Sequence, residues 1–485
     1  MSKNNKNLLF IIPGFFYIED YQKLLYFNDI PLGTLQLSSL LKERKKIKTN
    51  IIDMRVEGEK NVKLAKNDFN EDRFKDAFLK VLELNNIQEY QNIGINCYTS
   101  YQFLYTDSIA KILKDEFPNV NIIVGGYHPT GVPDDFIYKN SPYDYIIRGE
   151  AESVLLQLLN SNRTNQINSV SKTKVLNSNN LIDVNTLPFP DYELYLEQYP
   201  YKNKFKFEFY NSRGCPYQCA FCGENYYFRN FNFDKFKENF KKLSKIVEEY
   251  NPNILKIGFA DQSFNRIAIN EKILDYLLKN ELQDKFTFSC QSRIETVFRN
   301  LELIDKFRKC KMIVGYGFET ANKNLLKEMH KTKNSKQYLE DTIKILKNYK
   351  DNNETYCRLN ILVGFPGETQ QSFYETVNFV KKFALHGNIQ ISPTLFSNYP
   401  NVFVYDNMEY YERKYGSKFV REWWKLPSNP FKNAVPQKPS KKYSLKQIIG
   451  DYKDKYVKIL KIFKRNTFAE LVSWKNFFNK WYKQL

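Results

Sequence analysis

Short apolar runs alternate with helical patterns along the first part of the chain. Between the runs, stretches such as Leu35–Arg44 and Thr106–Glu116 repeat their apolar residues at helical spacing. The runs themselves read as five strands: Asn7–Pro13, Thr49–Asp53, Asn92–Asn96, Val120–Val124 and Tyr143–Ile147. Strands separated by helices predict an α/β domain with a doubly wound parallel sheet, whose ligands bind at the carboxyl ends of the strands.

The alternation breaks between residues 160 and 200, where Asn, Ser, Thr and Pro are frequent, and this composition predicts a linker. It then resumes with six strand–helix units, and the first of these helices, Asp234–Tyr250, has Asp234 as its predicted N-cap. The strands are Phe207–Tyr210, Leu255–Phe259, Phe286–Cys290, Met312–Gly315, Cys357–Val363 and Gln390–Leu395. This series predicts a partial (βα)6 TIM-like barrel, again with its site at the carboxyl ends of the strands.

The last part of the chain has a different pattern. Tyr443–Phe463 and Phe468–Tyr482 read as two amphipathic helices rich in Lys and aromatic residues, which predicts a helical extension packed on the barrel. A tail that binds a membrane surface or RNA is the alternative. The predicted units are residues 1–165 for the first domain, 166–204 for the linker, 205–415 for the barrel and 416–485 for the helical C-terminal part.

Charge and cysteine content change this picture only slightly. The formal net charge is +19, which would suit an anionic partner, but Lys is spread along the whole chain and we favour a compositional origin. No segment resembles a secretory signal or reaches the roughly 20 apolar residues needed to span a bilayer, so we expect a cytoplasmic protein. Seven cysteines, three of them in one short segment, then indicate metal binding rather than disulfides.

That segment follows the first predicted barrel strand and places Cys215, Cys219 and Cys222 in a CxxxCxxC array. Three thiolates at this spacing can each bind one iron of a four-iron cluster, which normally takes four cysteines. Cys290, the nearest other cysteine, lies outside the loop, so we expect one iron to stay open to an exogenous ligand. The alternative is a structural zinc ion, which would require a fourth Cys or His close by.

The segment Ser212–Cys222 resembles the signature loop of the radical S-adenosylmethionine (SAM) superfamily. The resemblance implies that SAM binds the open iron through its amino and carboxylate groups. The reduced [4Fe–4S] cluster then cleaves the carbon–sulfur bond, which yields methionine and a 5′-deoxyadenosyl radical. In such enzymes the cofactor carries the difficult chemistry, and the protein positions and shields it.

Further strand-end motifs, over about residues 205–400, resemble elements of the same superfamily. Glu319 in Gly317–Thr320 matches a position that holds the methionine part of SAM, Phe221 matches an aromatic residue near the adenine, and Gly364–Thr369 matches the GFPGET turn of one branch. The resemblance implies SAM contacts for Phe221, Asp261, Gln291, Arg293, Glu319, Gly364 and Pro366.

The branch with this turn often carries a cobalamin-binding, Rossmann-like domain ahead of the barrel. Pro31–Gly33, Val124–Thr130 and Arg148–Glu152 resemble segments of that domain, and glycines at strand ends would let the backbone approach a corrin. The resemblance implies cobalamin contacts for Leu32, Gly33, Asp53, Arg55, Ser100, Gly125, Gly126, Gly149 and Glu150, with Ser100 near the nucleotide tail. His128 is not assigned as an axial ligand.

One stretch departs from the family pattern. Many cobalamin domains use D-x-H-x-x-G, whose His binds cobalt from below, whereas the matching stretch here is Asp53–Gly58, with Arg55 in place of the His. A guanidinium stays protonated and cannot bind cobalt. The sequence therefore predicts either cobalamin bound without a protein His below it or a domain that has kept the fold and lost the ligand.

These motifs lead to the hypothesis of a cobalamin-dependent radical methyltransferase that acts on an unactivated carbon. A radical cyclase or ring-rearranging enzyme of the same architecture is the nearest alternative. An RNA-modifying methylthiotransferase is disfavoured because it needs further N-terminal cysteines and this domain has only Cys97. A cobalamin-binding sensor is the non-enzyme reading. We expect a small-molecule or peptide substrate rather than nucleic acid, and a flavodoxin- or ferredoxin-like one-electron reductant.

Overall fold

The computed structural model describes residues 7–14, 30–61, 69–159, 173–199, 207–224, 227–250, 255–295, 302–350, 355–384 and 388–460. Its N-terminal domain is built on a six-stranded parallel sheet in the order β2-β1-β3-β4-β5-β6. The strands are β1 Leu8–Ile12, β2 Thr49–Asp53, β3 Asn92–Asn96, β4 Asn121–Gly125, β5 Tyr145–Arg148 and β6 Lys174–Asn177. The apolar strand β1 is buried at every position because helices cover both faces of the sheet.

The helices of this domain are Leu32–Lys45, Met54–Asn61, Glu71–Glu83, Phe103–Glu116, Tyr127–Gly131 and Glu152–Leu158. The five predicted strands and the predicted doubly wound topology are confirmed. Because β1 lies between β2 and β3, the strand order reverses beside β1, and the ligand crevice of such a sheet opens at the carboxyl ends of β1 and β3.

The second domain is a partial barrel whose six parallel strands follow the order β14-β13-β12-β11-β10-β7. They are β7 Phe207–Phe209, β10 Lys256–Phe259, β11 Thr287–Arg293, β12 Ile313–Glu319, β13 Cys357–Val363 and β14 Ile389–Leu395. Its helices are Phe233–Tyr250, Asn270–Lys279, Leu282–Lys285, Glu302–Lys309, Lys323–Glu328, Ser335–Lys350 and Gln370–Ala384. The predicted strands and the partial barrel are therefore confirmed.

A short antiparallel pair, β8 Ser212–Arg213 and β9 Arg229–Asn230, joins the two ends of the segment that carries the three cysteines. After it, the first barrel helix begins at Phe233, one residue before the predicted cap. Asn232 Oδ1 accepts the Lys235 amide at 2.8 Å, while Asp234 is exposed and pairs with Lys237. The prediction of Asp234 as the N-cap was therefore wrong, because Asn232 satisfies the free amide.

The predicted linker contains a strand, a 3-10 turn at Val184–Thr186 and an α-helix within its described part, residues 173–199. Strand β6 pairs with β5 at the edge of the first sheet, and helix Tyr192–Gln198 packs against the end of β2. The exposed, mixed sequence of β6 carries no strand pattern, so only its pairing with β5 defines it.

The C-terminal part packs on both domains. The helices after the last barrel strand are Phe403–Asp406 and Met408–Tyr415, which precede this part, and Pro430–Ala434 and Leu445–Leu460 within it. Trp423 and Trp424 are buried in the core of the N-terminal domain, and Trp424 Nε1 donates to Asp135 Oδ2 at 2.6 Å. Tyr452 of the last helix donates to the Pro393 carbonyl of the barrel at 2.8 Å. The second predicted helix, Phe468–Tyr482, lies outside the described residues. Among the helices that are described, none is both long and apolar enough to cross a membrane.

Candidate functional site

The cysteine loop lies at the carboxyl end of the first barrel strand and is anchored to its neighbours by backbone hydrogen bonds. The Ala220 amide donates to the Met329 carbonyl at 2.9 Å, and the Cys222 amide closes a turn onto the Cys219 carbonyl at 3.0 Å. Burial raises the pKa of the Cys222 thiol to about 11. Binding iron therefore has to displace a proton from this sulfur, as metal binding to thiols generally does.

A fourth cysteine does not face the loop. Cys290 on β11 is buried in the helix-side core, whereas its neighbour Gln291 is exposed, since successive side chains of a strand point to opposite faces. Within the described ranges, no three His, Cys, Asp or Glu side chains converge on a single-ion site. A donor set of three loop thiols with Cys290 turned away fits a four-iron cluster that has one iron open.

Arg293, predicted to contact SAM, lies directly against the cysteine loop. Its Nη1 donates to Cys219 Sγ at 3.0 Å, and its guanidinium carbon lies 3.8 Å from the centre of the Tyr217 ring. Its Nη2 donates to Glu295 Oε1 at 3.0 Å. The structure thus gives Arg293 a buried position in which its charge lies next to the Cys219 sulfur.

Phe221 and Glu319, which the sequence placed near SAM, are brought together by a residue that sequence reasoning missed. Lys331 Nζ donates to Glu319 Oε1 at 3.0 Å and lies 5.8 Å from the centre of the Phe221 ring. Glu319 adopts a left-handed φ of 69° at the end of β12. A non-glycine residue held in this conformation beside a cofactor loop is typical of a functional site. No motif in the sequence marks Lys331.

Two pairs of polar side chains form hydrogen bonds inside the barrel. Gln291 Oε1 accepts from Asn360 Nδ2 at 3.0 Å, and Arg358 Nε donates to Gln390 Oε1 at 3.0 Å. On β13, buried positions alternate with half-buried ones, so the helix side is apolar and the interior is polar. Gln291 is therefore available to a polar ligand inside the barrel.

The structure gives Asp261 a different role from the predicted SAM contact. Its Oδ1 accepts from the Asn211 amide at 2.8 Å and from Ser212 Oγ at 2.7 Å, and its Oδ2 accepts from Asn211 Nδ2 at 3.3 Å. The side chain is buried, and burial raises its pKa to about 6. Asp261 therefore holds the segment that leads into the cysteine loop, and both of its oxygens are engaged.

The GFPGET turn is covered by the C-terminal part. Gly364 and Pro366 are buried, and a side chain on Gly364 would meet Val435 and Ile448 of the C-terminal part. The Gly367 amide donates to the Pro439 carbonyl at 2.8 Å. The structure therefore places Gly364 and Pro366 beneath the C-terminal part, and their predicted contact with SAM stays a prediction.

Two glycines near the switch point of the first sheet have different surroundings. Gly126 has a φ of 117°, and an added Cβ would lie 2.4 Å from the Cys97 carbonyl oxygen. Gly33, next to Leu32 at the start of the first helix, is exposed and would have no heavy atom within 4 Å of its Cβ. Gly126 is therefore required by the neighbouring backbone, whereas Gly33 and Gly125, at the end of β4, carry no side chain that could obstruct a ligand at this edge.

Ser100 is part of a buried network at the same edge. Its Oγ lies 2.8 Å from His128 Nδ1, and His128 Nε2 lies 3.3 Å from Asp135 Oδ2. Burial lowers the pKa of His128, so the imidazole is held neutral. Both side chains are enclosed, so neither presents a free face to a nucleotide tail, and His128 is not positioned as an axial ligand.

Asp53 and Arg55 lie away from the switch point, because β2 is an edge strand. The Arg55 guanidinium pairs with Asp53, with Nη2 at 2.7 Å from Oδ2. Tyr195 of the linker helix donates to Asp53 Oδ2 at 2.8 Å, and the hydroxyl of Tyr199, just after that helix, accepts the Asp53 backbone amide at 2.9 Å. The matching of this stretch to D-x-H-x-x-G is therefore displaced in the fold. Arg55 is engaged by Asp53 at this edge of the sheet.

Gly149 and Glu150 connect the two domains. Gly149 turns the chain after β5 with a φ of 86°, and the Glu150 carboxylate pairs with Arg213 and Arg229 at the two ends of the cysteine loop. A second contact was not predicted: the Tyr127 hydroxyl donates to Glu224 Oε2 at 2.5 Å. The strand ends of the first sheet thus face the cysteine loop of the second domain.

Comparisons with known proteins match two family models to this chain. The radical SAM superfamily model matches residues 211–380, and the B12-binding domain model matches residues 27–159. A solved structure of coproporphyrinogen III oxidase from Escherichia coli, described as a radical SAM enzyme, is matched over 47% of this chain and 57% of its own, at 14% identity and a TM-score of 0.31.

Curated relatives include an uncharacterized methyltransferase of Pyrococcus horikoshii, 26% identical over 60% of this chain and 64% of that protein. An anaerobic magnesium-protoporphyrin IX monomethyl ester cyclase of Cereibacter sphaeroides is 22% identical over 56% of this chain and 46% of that protein. A bacteriochlorophyllide d C-12(1)-methyltransferase of Chlorobaculum tepidum is 24% identical over 53% and 54%. The chain thus spans about half to two thirds of the length of these relatives.

A radical SAM domain implies a [4Fe–4S] cluster and SAM, and a B12-binding domain supports cobalamin as a further cofactor. The three loop cysteines, the exposed Gly33 at the start of the first helix and the contact of Glu150 with the cysteine loop agree with these cofactors. The chain therefore contains a region that matches the radical SAM superfamily model and, ahead of it, a region that matches the B12-binding domain model.

Proposed function

We propose that this chain is a cobalamin-dependent radical SAM methyltransferase that acts on an unactivated carbon of a small-molecule or peptide substrate. The observation that carries the proposal is the contact between the carboxyl ends of the first sheet and the cysteine loop, through Tyr127 to Glu224 and Glu150 to Arg213. This contact supports a substrate held between the two cofactors, as methyl transfer from one to a radical made at the other requires.

When bound, the cluster and SAM supply a 5′-deoxyadenosyl radical, and cobalamin supplies the methyl group. Cys215, Cys219 and Cys222 would hold the cluster, and the buried Arg293 guanidinium stabilises negative charge on its sulfurs. Glu319, oriented by Lys331, would accept a hydrogen bond from the SAM amino group. The C-terminal part buries the GFPGET turn and so limits the access of water to the barrel end.

Several side chains between the two domains are available to a substrate. Tyr98 and Gln262 are exposed there, Gln262 Nε2 donates to Glu224 Oε2 at 3.2 Å, and the Tyr98 and Tyr127 rings meet edge to face at 5.1 Å. The Glu224 carboxylate is buried and accepts hydrogen bonds from two neutral groups, the Gln262 side-chain amide and the Tyr127 hydroxyl. This arrangement supports a substrate that combines hydrogen-bond donors with a flat or apolar portion.

The first test is SAM cleavage. Protein reconstituted anaerobically with iron and sulfide and reduced with dithionite, which stands in for a one-electron protein donor, should convert SAM to 5′-deoxyadenosine. Cys219→Ala should lose bound iron and this activity, whereas Cys290→Ala should keep both, because Cys290 faces the opposite side of β11. Cleavage that survives Cys219→Ala, or iron loss in Cys290→Ala, would contradict the cluster assignment.

The second test separates methyl transfer from cyclisation. Cobalamin-loaded protein incubated with candidate substrates should add one methylene unit to the product mass, and the added carbon should come from isotopically labelled SAM. A product without that gain would instead indicate cyclisation or rearrangement. Absence of cobalamin absorption bands after loading would overturn the proposed cofactor.

A further inference from the structure

Two arginines lie directly opposite each other at the base of the cysteine loop. The antiparallel pair β8–β9 places Arg213 opposite Arg229, and the cysteines lie on the segment between the two strands. Like charges at opposite positions of an antiparallel pair destabilise it. A pair of strands this short therefore needs a further contact to stay closed.

That contact comes from the other domain. Glu150 Oε2 lies 3.3 Å from Arg213 Nη1, and Glu150 Oε1 pairs with Arg229 Nη2, so one carboxylate bridges the two arginines. Glu152 also pairs with Arg213, which balances two cations with two anions. The four side chains are only 7% to 14% exposed, so these charge-assisted hydrogen bonds are poorly screened by solvent.

The N-terminal domain also contacts the cysteine loop just after its last cysteine. Glu224, two residues after the last cysteine, accepts the hydrogen bond from Tyr127, and the Asn401 side chain donates to the Tyr127 carbonyl at 2.9 Å. Tyr127 follows β4 and Glu150 follows β5, so neighbouring strand ends of the first sheet reach both ends of the cysteine loop.

We propose that Glu150 is a positioning residue that closes the base of the cysteine loop and so sets the distance between the cluster and the cobalamin domain. Closure of the loop is a property of the protein chain, whereas the distance between cofactors rests on the proposed function. The proposal also explains why Glu150 lies in a segment that resembles a cobalamin domain and yet directs its carboxylate to the barrel.

Hydrogen exchange in the cofactor-free full-length chain tests the closure. In Glu150→Gln, amides in peptides that cover Ser212–Arg213 and Arg229–Asn230 should exchange about tenfold faster than in the wild type, because local opening sets the rate and charge-assisted hydrogen bonds resist it. The matched control is Glu89→Gln in the same domain, whose exposed pair with Lys48 has a separation of 3.7 Å. Equal exchange in the two variants would overturn the proposal.

If Glu150→Gln does not fold, the double variant Glu150→Gln/Arg229→Gln removes one charge of each sign and keeps the cluster of side chains neutral overall. Its loop-base amides should still exchange faster than those of the wild type, because the bridge between the arginines is lost. Wild-type exchange in the double variant would overturn the closure role.

The distance between cofactors is tested in the loaded protein by pulsed electron paramagnetic resonance. Cob(II)alamin and the reduced cluster are both paramagnetic, so their dipolar coupling reports their separation. The wild type and Glu89→Gln should give one narrow distance, and Glu150→Gln a broader distribution. A narrow, unchanged distance in Glu150→Gln would overturn the positioning role. A wild type that shows neither signal would overturn the proposed function and the cofactor distance with it, while hydrogen exchange would still decide closure.

Discussion

Arg293 donates a hydrogen bond from Nη1 to Cys219 Sγ across 3.0 Å. The guanidinium is buried and lies 3.8 Å from the centre of the Tyr217 ring, which keeps it in place beside the sulfur. The cysteine loop therefore carries a fixed positive charge next to one of its three thiols. Hydrogen bonds to the sulfurs are among the features that set the reduction potential of an iron–sulfur cluster.

Replacing this arginine should make the cluster harder to reduce. Arg293→Met keeps a long side chain but removes the donor and the charge that stabilise the more negative, reduced cluster. The potential should fall by on the order of 60 mV, which is a tenfold change in a one-electron equilibrium. A redox titration followed by electron paramagnetic resonance measures it, with Arg421→Met at an exposed pair as the control. An unchanged potential in Arg293→Met would show that the hydrogen bond does not act on the cluster.

Asp261 should behave as a structural residue. Asp261→Asn removes the negative charge and leaves one acceptor oxygen for three donors, the Asn211 amide, the Asn211 side chain and the Ser212 hydroxyl, so the free energy of unfolding should fall by about 1–3 kcal/mol and less iron should be retained. The affinity of the remaining loaded protein for SAM should not change. Asp275→Asn, at an exposed pair with Lys306, is the control for chemical denaturation. Lost SAM affinity at unchanged stability would instead support the direct contact predicted from the sequence.

Glu368 should make stability depend on pH. Burial raises its pKa from 4.5 to about 8, and its Oε2 accepts the Gly364 amide at 2.5 Å. Between these two pH values the folded chain holds a proton that the unfolded chain has lost, so stability falls as pH rises. Relative to Glu368→Gln, the wild type should lose up to about 1.4 kcal/mol per pH unit between pH 4.5 and 8 and then level off. Denaturation curves of both proteins measured across this range would refute the assignment if they shifted in parallel.

The two glycines at the switch point should respond in opposite ways to alanine. Gly126→Ala should lower the free energy of unfolding by at least about 2 kcal/mol, because its φ is 117° and the new methyl would strike the Cys97 carbonyl. Gly33→Ala has open space and should leave folding intact, but its methyl would enter the crevice and weaken cobalamin binding. Denaturation and spectrophotometric cobalamin titration measure the two effects. Wild-type cobalamin affinity in Gly33→Ala would place the ligand elsewhere.

Much of the fold could be predicted from the sequence, because the spacing of hydrophobic residues reflects the local geometry of helices and strands. The strands of both sheets, the doubly wound order and the partial barrel follow from runs such as β1, which is buried along its whole length. Strand β6 was missed, since its side chains are mostly exposed and only its pairing with β5 makes it a strand. The cap at Asn232 was missed by two residues because Asp and Asn are equally good caps.

The three-cysteine loop, its position after a barrel strand and the glycines at strand ends could all be predicted from the sequence, because residue spacing and backbone freedom are local properties. The hydrogen-bond and ion-pair partners of individual side chains could be identified only in the folded chain. Arg55 lies just after an edge strand, the Asp261 carboxylate bonds to the segment before the loop, and Glu150 pairs with Arg213 and Arg229 of the other domain. Those contacts join residues far apart in the chain, and no local pattern encodes which strand ends will meet when two domains pack together.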